Sequence, residues 1–332
     1  MTALSRVCLP SVRGLEFRAA GEADIDQWLG LIERIAEAEK PPWHEQRADL
    51  QAVFASSKND PGHNTVLGFD AGGTARAWGR VTKNAGGFKA IASGGVDPQW
   101  QRRGVGTAVV RWQQAQTVRR FAQDGTPDPR LRIFSEEDNL AEGALLPATG
   151  FTVARYFTQM LRPLDAELPT VQLDPDVEIV PFTAELSEAA RLAHNEAFGD
   201  HWGSEPRDEE AWGFMIDHPH SRPEWSALAV ARASGEVVGY QLASYDPGLG
   251  AAKGSEEGYT ELLGVRRHWR GRRIAAALLA DAMRRFRNAG MDYASLDVDT
   301  ENPSGALGLY ERMGYRSTHR SMAWDWTATP LE

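Results

Sequence analysis

The chain contains two copies of one local pattern, and this repeat restricts the folds open to it more than any other feature. Each copy consists of a short apolar strand, a turn rich in arginine and glycine, and a helix. The first turn is QRRGVG at residues 101–106, and the second is RGRRIA at residues 270–275. The turns lie 169 positions apart, as do Val96 and Val265 in the strands before them. A repeat of this length indicates two copies of one fold in tandem.

The boundary between the two copies is marked by a change in composition. Residues 163–175 are rich in proline and acidic residues and show no helical periodicity. Such a segment is typical of a connection between domains. We therefore predict a first domain over residues 1–165, a linker over 166–176 and a second domain over 177–332. A chain of 332 residues is long enough for two hydrophobic cores.

Charge and composition exclude several classes of protein. With 36 basic and 46 acidic residues the net charge is −10, which argues against a general nucleic-acid binder and suits attraction of cationic small molecules. The single cysteine, Cys8, rules out a disulfide within the chain and fits a reducing compartment. No apolar run approaches the ~20 residues of a membrane span, and the N-terminus lacks the apolar core of a signal peptide. We expect a cytoplasmic protein without a membrane segment.

A basic turn between a strand and a helix is suited to binding phosphate. The first N–H groups of a helix have no intrahelical acceptor, and the helix dipole favours negative charge there. Glycine allows close approach of the backbone, and arginine supplies charged donors. Either turn alone is also consistent with a solvated helix start, but two turns at matched positions favour a ligand. A dinucleotide fold would need a third glycine and a later acidic residue, and a P-loop would need Gly-Lys-Ser/Thr; both are absent.

Both halves resemble the GCN5-related N-acetyltransferase (GNAT) family. Its signature, Gln/Arg-x-x-Gly-x-Gly/Ala at the start of a helix, is met in full by residues 101–106 and is met by residues 270–275 except for Arg273 in place of glycine. A later motif of the family is similar to the segment from Asn302 through Tyr310 to Tyr315. The tandem arrangement is similar to that of mycothiol synthase-like acetyltransferases. The resemblance implies an α/β (α+β) fold with two tandem acyl-CoA N-acyltransferase domains, each a mixed, mostly antiparallel twisted sheet flanked by helices.

The resemblance also implies acetyl-CoA as cofactor, with its pyrophosphate on the turns and its pantetheine along the preceding strands. In the C-terminal half the expected contacts are Leu263, Val265, Arg270, Gly271, Arg272, Arg273, Ile274, Ala275 and Asn302. In the N-terminal half they are Val96, Gln101, Arg102, Arg103, Gly104, Val105, Gly106 and Thr107.

The expected catalytic groups follow from the chemistry of acyl transfer to an amine, which requires a neutral amine and a protonated leaving thiol. Tyr310 stands at the position of the family's general acid, and Glu261 is the best candidate for the base. The residue that corresponds to Tyr310 in the first half is Leu146, which cannot donate a proton. We therefore expect the C-terminal domain to be catalytic and the N-terminal domain to be non-catalytic. The alternatives are that Tyr310 is a packing aromatic and that Glu261 is a solvent-facing strand residue.

The acceptor is expected to contact the loop after the first helix of the second half. The residues chosen for this role are His194, Glu196, His201 and Trp202. No metal site is expected, because His218 and His220 have one aspartate nearby and zinc requires more ligands. Cys8 lies outside both motifs, so direct attack in a ternary complex is expected in place of a cysteine nucleophile.

The function predicted from the sequence is acetyl-CoA-dependent transfer of an acetyl group to the primary amine of a small-molecule acceptor. One alternative is a non-catalytic acetyl-CoA-binding sensor or scaffold, and another is an acceptor that is a protein N-terminus or lysine. Tyr310 favours an enzyme, whereas Arg273 and Leu146 favour the sensor. The sequence leaves a monomer and a homodimer equally open.

Overall fold

The structure, a computed structural model, describes residues 7–301 and 305–328. The chain divides into two compact units. The first consists of the chain up to Tyr156 together with the segment from Ser321 onward, and the second is Phe157–Arg320. In the described parts of the chain, no helix is both long and apolar enough to cross a membrane.

Helices and strands follow one another in the same general order in the two halves of the chain. The elements up to β6 are β1 (Glu16–Arg18), α1 (Ile25–Glu39), α2 (Arg47–Ala55), α3 (Pro61–Asn64), β2 (Thr65–Phe69), β3 (Ala75–Lys83), β4 (Ala90–Val96), α4 (Val105–Asp124), β5 (Arg130–Glu136), α5 (Leu140–Ala148) and β6 (Thr152–Pro163). The later elements are β7 (Val177–Pro181), α6 (Ser187–Ala197), α7 (Glu209–Ile216), β8 (Ala227–Ala231), β9 (Val237–Ser244), α8 (Pro247–Lys253), β10 (Glu257–Val265), α9 (Ile274–Asn288), β11 (Tyr293–Asp299), α10 (Ala306–Arg312) and β12 (Arg316–Thr327).

The sheet of the first unit runs in the order β1-β2-β3-β4-β5-β12. All neighbours are antiparallel except β4 and β5, which are parallel. One face packs on α4 through residues such as Val109 and Phe121, and a second cluster joins α1 and α2 through Trp28 and Leu50. Helix α4 connects the two parallel strands, as a parallel pair requires a crossover.

The sheet of the second unit has the same design, in the order β6-β11-β10-β9-β8-β7. Here β10 and β11 are the parallel pair, and α9 connects them. Leu278 and Phe286 of α9 are fully buried against the sheet, and Ala190 and Ala193 of α6 belong to a separate cluster with Tyr240. The predicted mixed, mostly antiparallel sheets flanked by helices are therefore confirmed.

The strand that completes each sheet comes from the other half of the sequence. In the first unit, Ser321–Thr327 of β12 pair with β5, from Ser321↔Glu136 to Thr327↔Arg130. In the second unit, Phe157–Pro163 of β6 pair with β11. The observed division therefore differs from the predicted boundaries: residues 157–165 and the linker lie in the second unit, and the last strand lies in the first unit from Ser321 onward. The sequence pattern did not reveal β12, because pairing partners 190 or so positions apart leave no local signal.

Candidate active site

The two parallel strands of the second unit separate at the point where a ligand would enter. Strands β10 and β11 pair at Glu257↔Tyr293, Gly258↔Ala294 and Tyr259↔Ser295, and within the described residues no later pair joins them. Backbone groups of β10 beyond Tyr259 on that side are therefore open to hydrogen bonding by a ligand. A chain of amides, such as the pantetheine arm, can satisfy such groups in the manner of an added strand.

The turn between β10 and α9 contains two residues in the left-handed conformation. They are Gly271 (φ +79°) and Arg273 (φ +62°), and Arg273 is the residue directly before the helix. The first unit repeats this geometry at Arg102 (φ +60°) and Gly104 (φ +78°), 169 positions earlier. Each turn thus has one glycine and one arginine at the same two strained positions, in opposite order. Arg273 is compatible with the turn, because it adopts the conformation of the glycine that it replaces.

The arginines of the second turn divide into structural and open groups. Arg270 donates to the carbonyls of Val265 (3.2 Å) and Ala197 (2.8 Å), and Arg272 stacks on Trp269 at 4.7 Å. Arg103 stacks on Trp100 in the same way in the first unit, at 4.8 Å. Arg273 is exposed and makes no side-chain contact with the described residues. Its guanidinium is therefore available to a phosphate.

The remaining residues predicted to contact the cofactor can offer it mainly backbone groups. Ile274 and Val105 are almost completely buried, so only their N–H groups face a ligand at the helix start. Gly106 has the side chain of Leu145 close to the position of a β-carbon. Asn302 lies outside the described residues. The other residues of this set that are half-buried are Leu263, Val265, Ala275, Val96, Thr107 and Gln101.

Glu261 lies at a β-bulge of β10 in the second unit. The pairing of β10 with β9 shifts between Thr260 and Leu262, so that Glu261 is the extra residue. Its carboxylate accepts a hydrogen bond from Ser244 Oγ at 3.3 Å. The side chain is open to water but is crowded by protein on several sides, and this partial loss of hydration raises the pKa of Glu261 above its usual value, although Arg207 opposes the shift. A carboxylate with a raised pKa is a better proton acceptor.

Tyr310 lies on α10 and is buried, with its ring 6.0 Å from that of Tyr315. Burial raises the pKa of Tyr310 to about 12, so the phenol keeps its proton at neutral pH. Ionisation of Tyr310 would raise the pKa of both Tyr240 and Tyr259, so the Tyr310 phenol interacts electrostatically with both. A protonated phenol beside the separated strands has the properties of a general acid.

Two of the four residues predicted to contact the acceptor make side-chain hydrogen bonds within the protein. His194 is buried and its Nδ1 lies 2.9 Å from the Tyr240 hydroxyl; burial lowers the pKa of His194 to about 4, so the ring is neutral. Glu196 accepts a hydrogen bond from Arg266. His201 stacks on Phe198 with ring centroids 5.1 Å apart. Trp202 is half-buried in the same loop, 6.4 Å from the ring of Phe157.

Two charged groups of this cleft were missed by the sequence reasoning. Asp297, on β11, accepts a hydrogen bond from the Tyr259 hydroxyl at 3.0 Å, and its charge raises the pKa of Glu261. Arg207, in the loop between α6 and α7, lowers the pKa of Glu261 and of His194. Their proximity depends on the pairing of β10 with β11 and on the path of a loop, and no local motif records either.

The equivalent cleft of the first unit has different chemistry. Strand β4 (AIASGGV) pairs with β3 without a shift and carries no acidic side chain, and Leu146 is buried in the core. At the turn, Gln101 and Asn139 both donate to Glu39, at 3.0 and 3.4 Å. Glu142 lies close by, and burial together with the charges of Glu39 and Glu136 raises its pKa to about 7. A base and a phenol at the positions of Glu261 and Tyr310 are therefore absent from these described strands and helices.

No group of three or more histidine, cysteine, aspartate or glutamate side chains suited to a metal ion occurs among residues 7–301 and 305–328. The groups that act on Glu261 include the carboxylate of Asp297, which accepts from the Tyr259 phenol, and the guanidinium of Arg207. These groups support proton transfer and binding of a charged small molecule.

The fold and the repeated turn define an acetyltransferase class, and comparison with known proteins agrees. The Acetyltransferase (GNAT) family model matches residues 187–315, which lie within the second unit. The chain belongs to the GNAT family, whose members are acetyl-CoA-dependent N-acetyltransferases.

Among its relatives are mycothiol acetyltransferases. That of Salinispora arenicola is 30% identical over 234 residues, which are 66% of this chain and 67% of the relative. That of Acidothermus cellulolyticus is 29% identical over 233 residues, 67% of this chain and 66% of the relative, so the chain spans about two thirds of the length of each. A GCN5-related N-acetyltransferase from Sphaerobacter thermophilus has a similar structure, with a TM-score of 0.72 and 27% identity, covering 97% of this chain and 98% of that one.

Proposed function

We propose that the C-terminal unit binds acetyl-CoA and transfers its acetyl group to the primary amine of a small-molecule acceptor by direct attack. In this proposal Glu261 is the general base and Tyr310 is the general acid. The N-terminal unit is non-catalytic and either holds acetyl-CoA without turnover or has a structural role.

The observation that carries the proposal is the position of these two groups at the separated strands. Glu261 projects from the bulge of β10 with a raised pKa, and the buried phenol of Tyr310 lies near Tyr259 of the same strand. The turn that follows β10 offers helix N–H groups and the open guanidinium of Arg273 to phosphates. The proposed base, the proposed acid and the phosphate-binding turn thus belong to one unit.

In the proposed mechanism acetyl-CoA supplies an activated acetyl group when it is bound. Glu261 accepts a proton from the attacking amine, either directly or through one water molecule. Tyr310 donates its phenolic proton to the sulfur that leaves as the new C–N bond forms and the C–S bond breaks. The open backbone groups of β10 hold the arm of the cofactor in register, and positioning of the two reactants supplies much of the rate.

Replacement of Tyr310 by phenylalanine tests the mechanism, because it removes the acid and keeps the packed ring. We expect kcat to fall by about a hundredfold, the usual weight of one acid group, with little change in KM for acetyl-CoA. The measurement is release of free thiol from acetyl-CoA against a panel of amines. Tyr315→Phe is the matched control, since Tyr315 is buried beside Tyr310 and has no proposed role.

The outcomes separate the two levels of the proposal. Unchanged release in the Tyr310→Phe variant would remove Tyr310 from the mechanism and leave the activity standing. Absence of acceptor-dependent release by the wild-type protein would favour the sensor or scaffold function. The panel includes the amine precursor of mycothiol because of the names of the relatives, and it includes peptides with a free N-terminus or lysine as the alternative acceptors.

A further inference from the structure

Arg207 occupies a rigid position in the loop between α6 and α7. Its N–H donates to Asn195 Oδ1 at 2.8 Å, and its carbonyl accepts from Asn195 Nδ2 at 2.9 Å. Arg191 Nη1 donates to the same carbonyl at 2.8 Å. Three hydrogen bonds to one helix fix this backbone before any ligand binds.

The guanidinium of Arg207 has no carboxylate partner among the described residues. It is half-buried, and its one side-chain contact is from Nη1 to the sulfur of Met215 at 2.9 Å. Other arginines on this side of the unit are paired: Arg191 with Glu188 and Arg266 with Glu196. A partly desolvated cation without a counter-ion is costly to a fold, and such groups are commonly retained because a ligand completes them.

The guanidinium of Arg207 lies close enough to Glu261 for the two charges to interact. Its charge lowers the pKa of Glu261 on β10 and of His194 on α6, and it also acts on the buried Tyr240 of β9. It is not an ion-pair partner of Glu261, because no nitrogen of Arg207 lies within 4.0 Å of that carboxylate. The cleft therefore presents a carboxylate and a separate, unsatisfied cation to whatever enters it.

We propose that Arg207 binds an anionic oxygen group of the acceptor, a carboxylate or a phosphate, which is held close to the amine that receives the acetyl group. The acceptor is then a zwitterion: its ammonium faces Glu261 and Asp297, and its anion faces Arg207. Arg207 is in this sense a specificity-determining residue. The inference rests on the proposed position of the acceptor cleft in the C-terminal unit.

The test measures stabilisation of the full-length protein by anions in the presence of saturating coenzyme A, so that phosphate sites at the turns are filled. The probes are N-acetylglycine, its uncharged amide N-acetylglycinamide, and inorganic phosphate, each titrated while the melting temperature is followed. The variants are Arg207→Met and Arg207→Gln. Arg232→Met is the control, because Arg232 is an exposed arginine paired with Glu178 on another strand.

We expect one of the two anions to stabilise the wild type at a concentration about tenfold lower than the amide requires. A tenfold difference in affinity is about what one charge-assisted hydrogen bond contributes. The advantage disappears in both Arg207 variants and persists in Arg232→Met. If N-acetylglycine is the effective probe, the anionic group of the acceptor is a carboxylate. If inorganic phosphate is the effective probe, that group is a phosphate. Without ligand, Arg207→Met melts at the same temperature as the wild type or higher.

The inference is overturned if neither anion surpasses the amide, or if the advantage survives in the Arg207 variants. It is also overturned if Arg207→Met and Arg207→Gln both melt several degrees lower without ligand and neither anion acts on the wild type, because Arg207 would then be structural. Failure of coenzyme A itself to stabilise the protein would count against the proposed function and not against the role of Arg207.

Discussion

At the scale of single residues, the left-handed arginines are the most informative feature of the two turns. A side chain other than glycine in this conformation costs about 1–2 kcal/mol. Arg102 and Arg273 both bear that cost, and each leaves its guanidinium without a contact among the described residues. Strain that persists at the same kind of turn in both units indicates a function for the side chain. Binding of an anion at the helix start is the function that suits a guanidinium there.

Replacement of Arg273 by glycine separates strain from function. We expect the free energy of unfolding to be unchanged or to rise by up to about 1 kcal/mol, because relief of strain outweighs the greater freedom of glycine in the unfolded chain. KM for acetyl-CoA should rise about three- to tenfold through loss of a charged donor. Thermal unfolding and steady-state kinetics measure the two effects. Arg273→Lys is the control that keeps the charge. If the KM of Arg273→Lys for acetyl-CoA equalled that of Arg273→Gly, a role for the charge itself would be contradicted.

The raised pKa of Glu142 predicts a pH dependence of the first unit. Between pH 4.5 and about 7 this side chain is ionised in the unfolded chain and protonated in the folded one. The folded state then binds more protons, so stability is greatest below this range and is lost as pH rises through it. Glu142→Gln should remove the loss and raise the free energy of unfolding at pH 8 by about 2 kcal/mol. Urea unfolding at pH 4 and pH 8 provides the measurement, and an equal effect of the substitution at both pH values would contradict the assignment.

At the scale of elements, each unit fixes the start of its turn with a similar network of ion pairs. The central residue is acidic in the first unit and basic in the second. In the first unit, Asp97 after β4 accepts from Arg34 of α1 (2.9 Å) and Arg76 of β3 (2.8 Å). In the second unit, Arg266 after β10 pairs with Glu196 of α6 and lies 3.4 Å from Glu236 before β9. A helix, a strand edge and the turn are joined in both cases. The fold requires an ion pair at this position, and either an acidic or a basic residue there can form it.

The two networks differ in burial, and this predicts a difference in stability. The side chain of Asp97 is 2% exposed, so Asp97→Ala removes a buried carboxylate that accepts from both Arg34 and Arg76 and should cost about 3 kcal/mol. The side chain of Glu196 is 36% exposed, and Glu196→Ala should cost about 1 kcal/mol, because water replaces the carboxylate. Urea unfolding of the two variants compares them. Equal losses would show that burial does not control the strength of these pairs.

Much of the fold was predictable because its signals are local. The repeated pattern predicted a strand, a basic turn at residues 270–275 and a helix, and β10 and α9 lie on the two sides of that turn. The bulge at Glu261 was not predictable, because it arises from the register between β9 and β10. The burial of His194 and the position of Arg207 were not predictable for the same kind of reason, because the first depends on the packing of a helix and the second on the path of a loop.

At the scale of the whole molecule, the repeat is not a simple joining of two independent domains. The last strand of the chain completes the first sheet through a two-pronged ion pair, in which Arg132 donates to Asp325 at 2.7 and 2.8 Å. Trp324 of the same strand is buried and donates to Ser135 Oγ at 2.8 Å. The first unit therefore cannot be complete until the C-terminus has been synthesised. Boundaries drawn from the repeat alone, with a domain at residues 1–165, omit this strand.

This arrangement predicts that a fragment of residues 1–165 is unstable alone and is restored by a peptide of residues 316–332. Loss of β12 removes the buried contacts of Trp324 and Met322, worth about 2 kcal/mol each, and takes the carboxylate of Asp325 away from the buried Arg132. The sum is comparable to the whole stability of a domain. Circular dichroism and thermal unfolding of the fragment, with and without the peptide, measure the effect. A peptide with Trp324→Ala and Asp325→Ala is the matched control and should restore little. Cooperative unfolding of the fragment alone, with no response to the peptide, would mean that the first unit folds without its last strand.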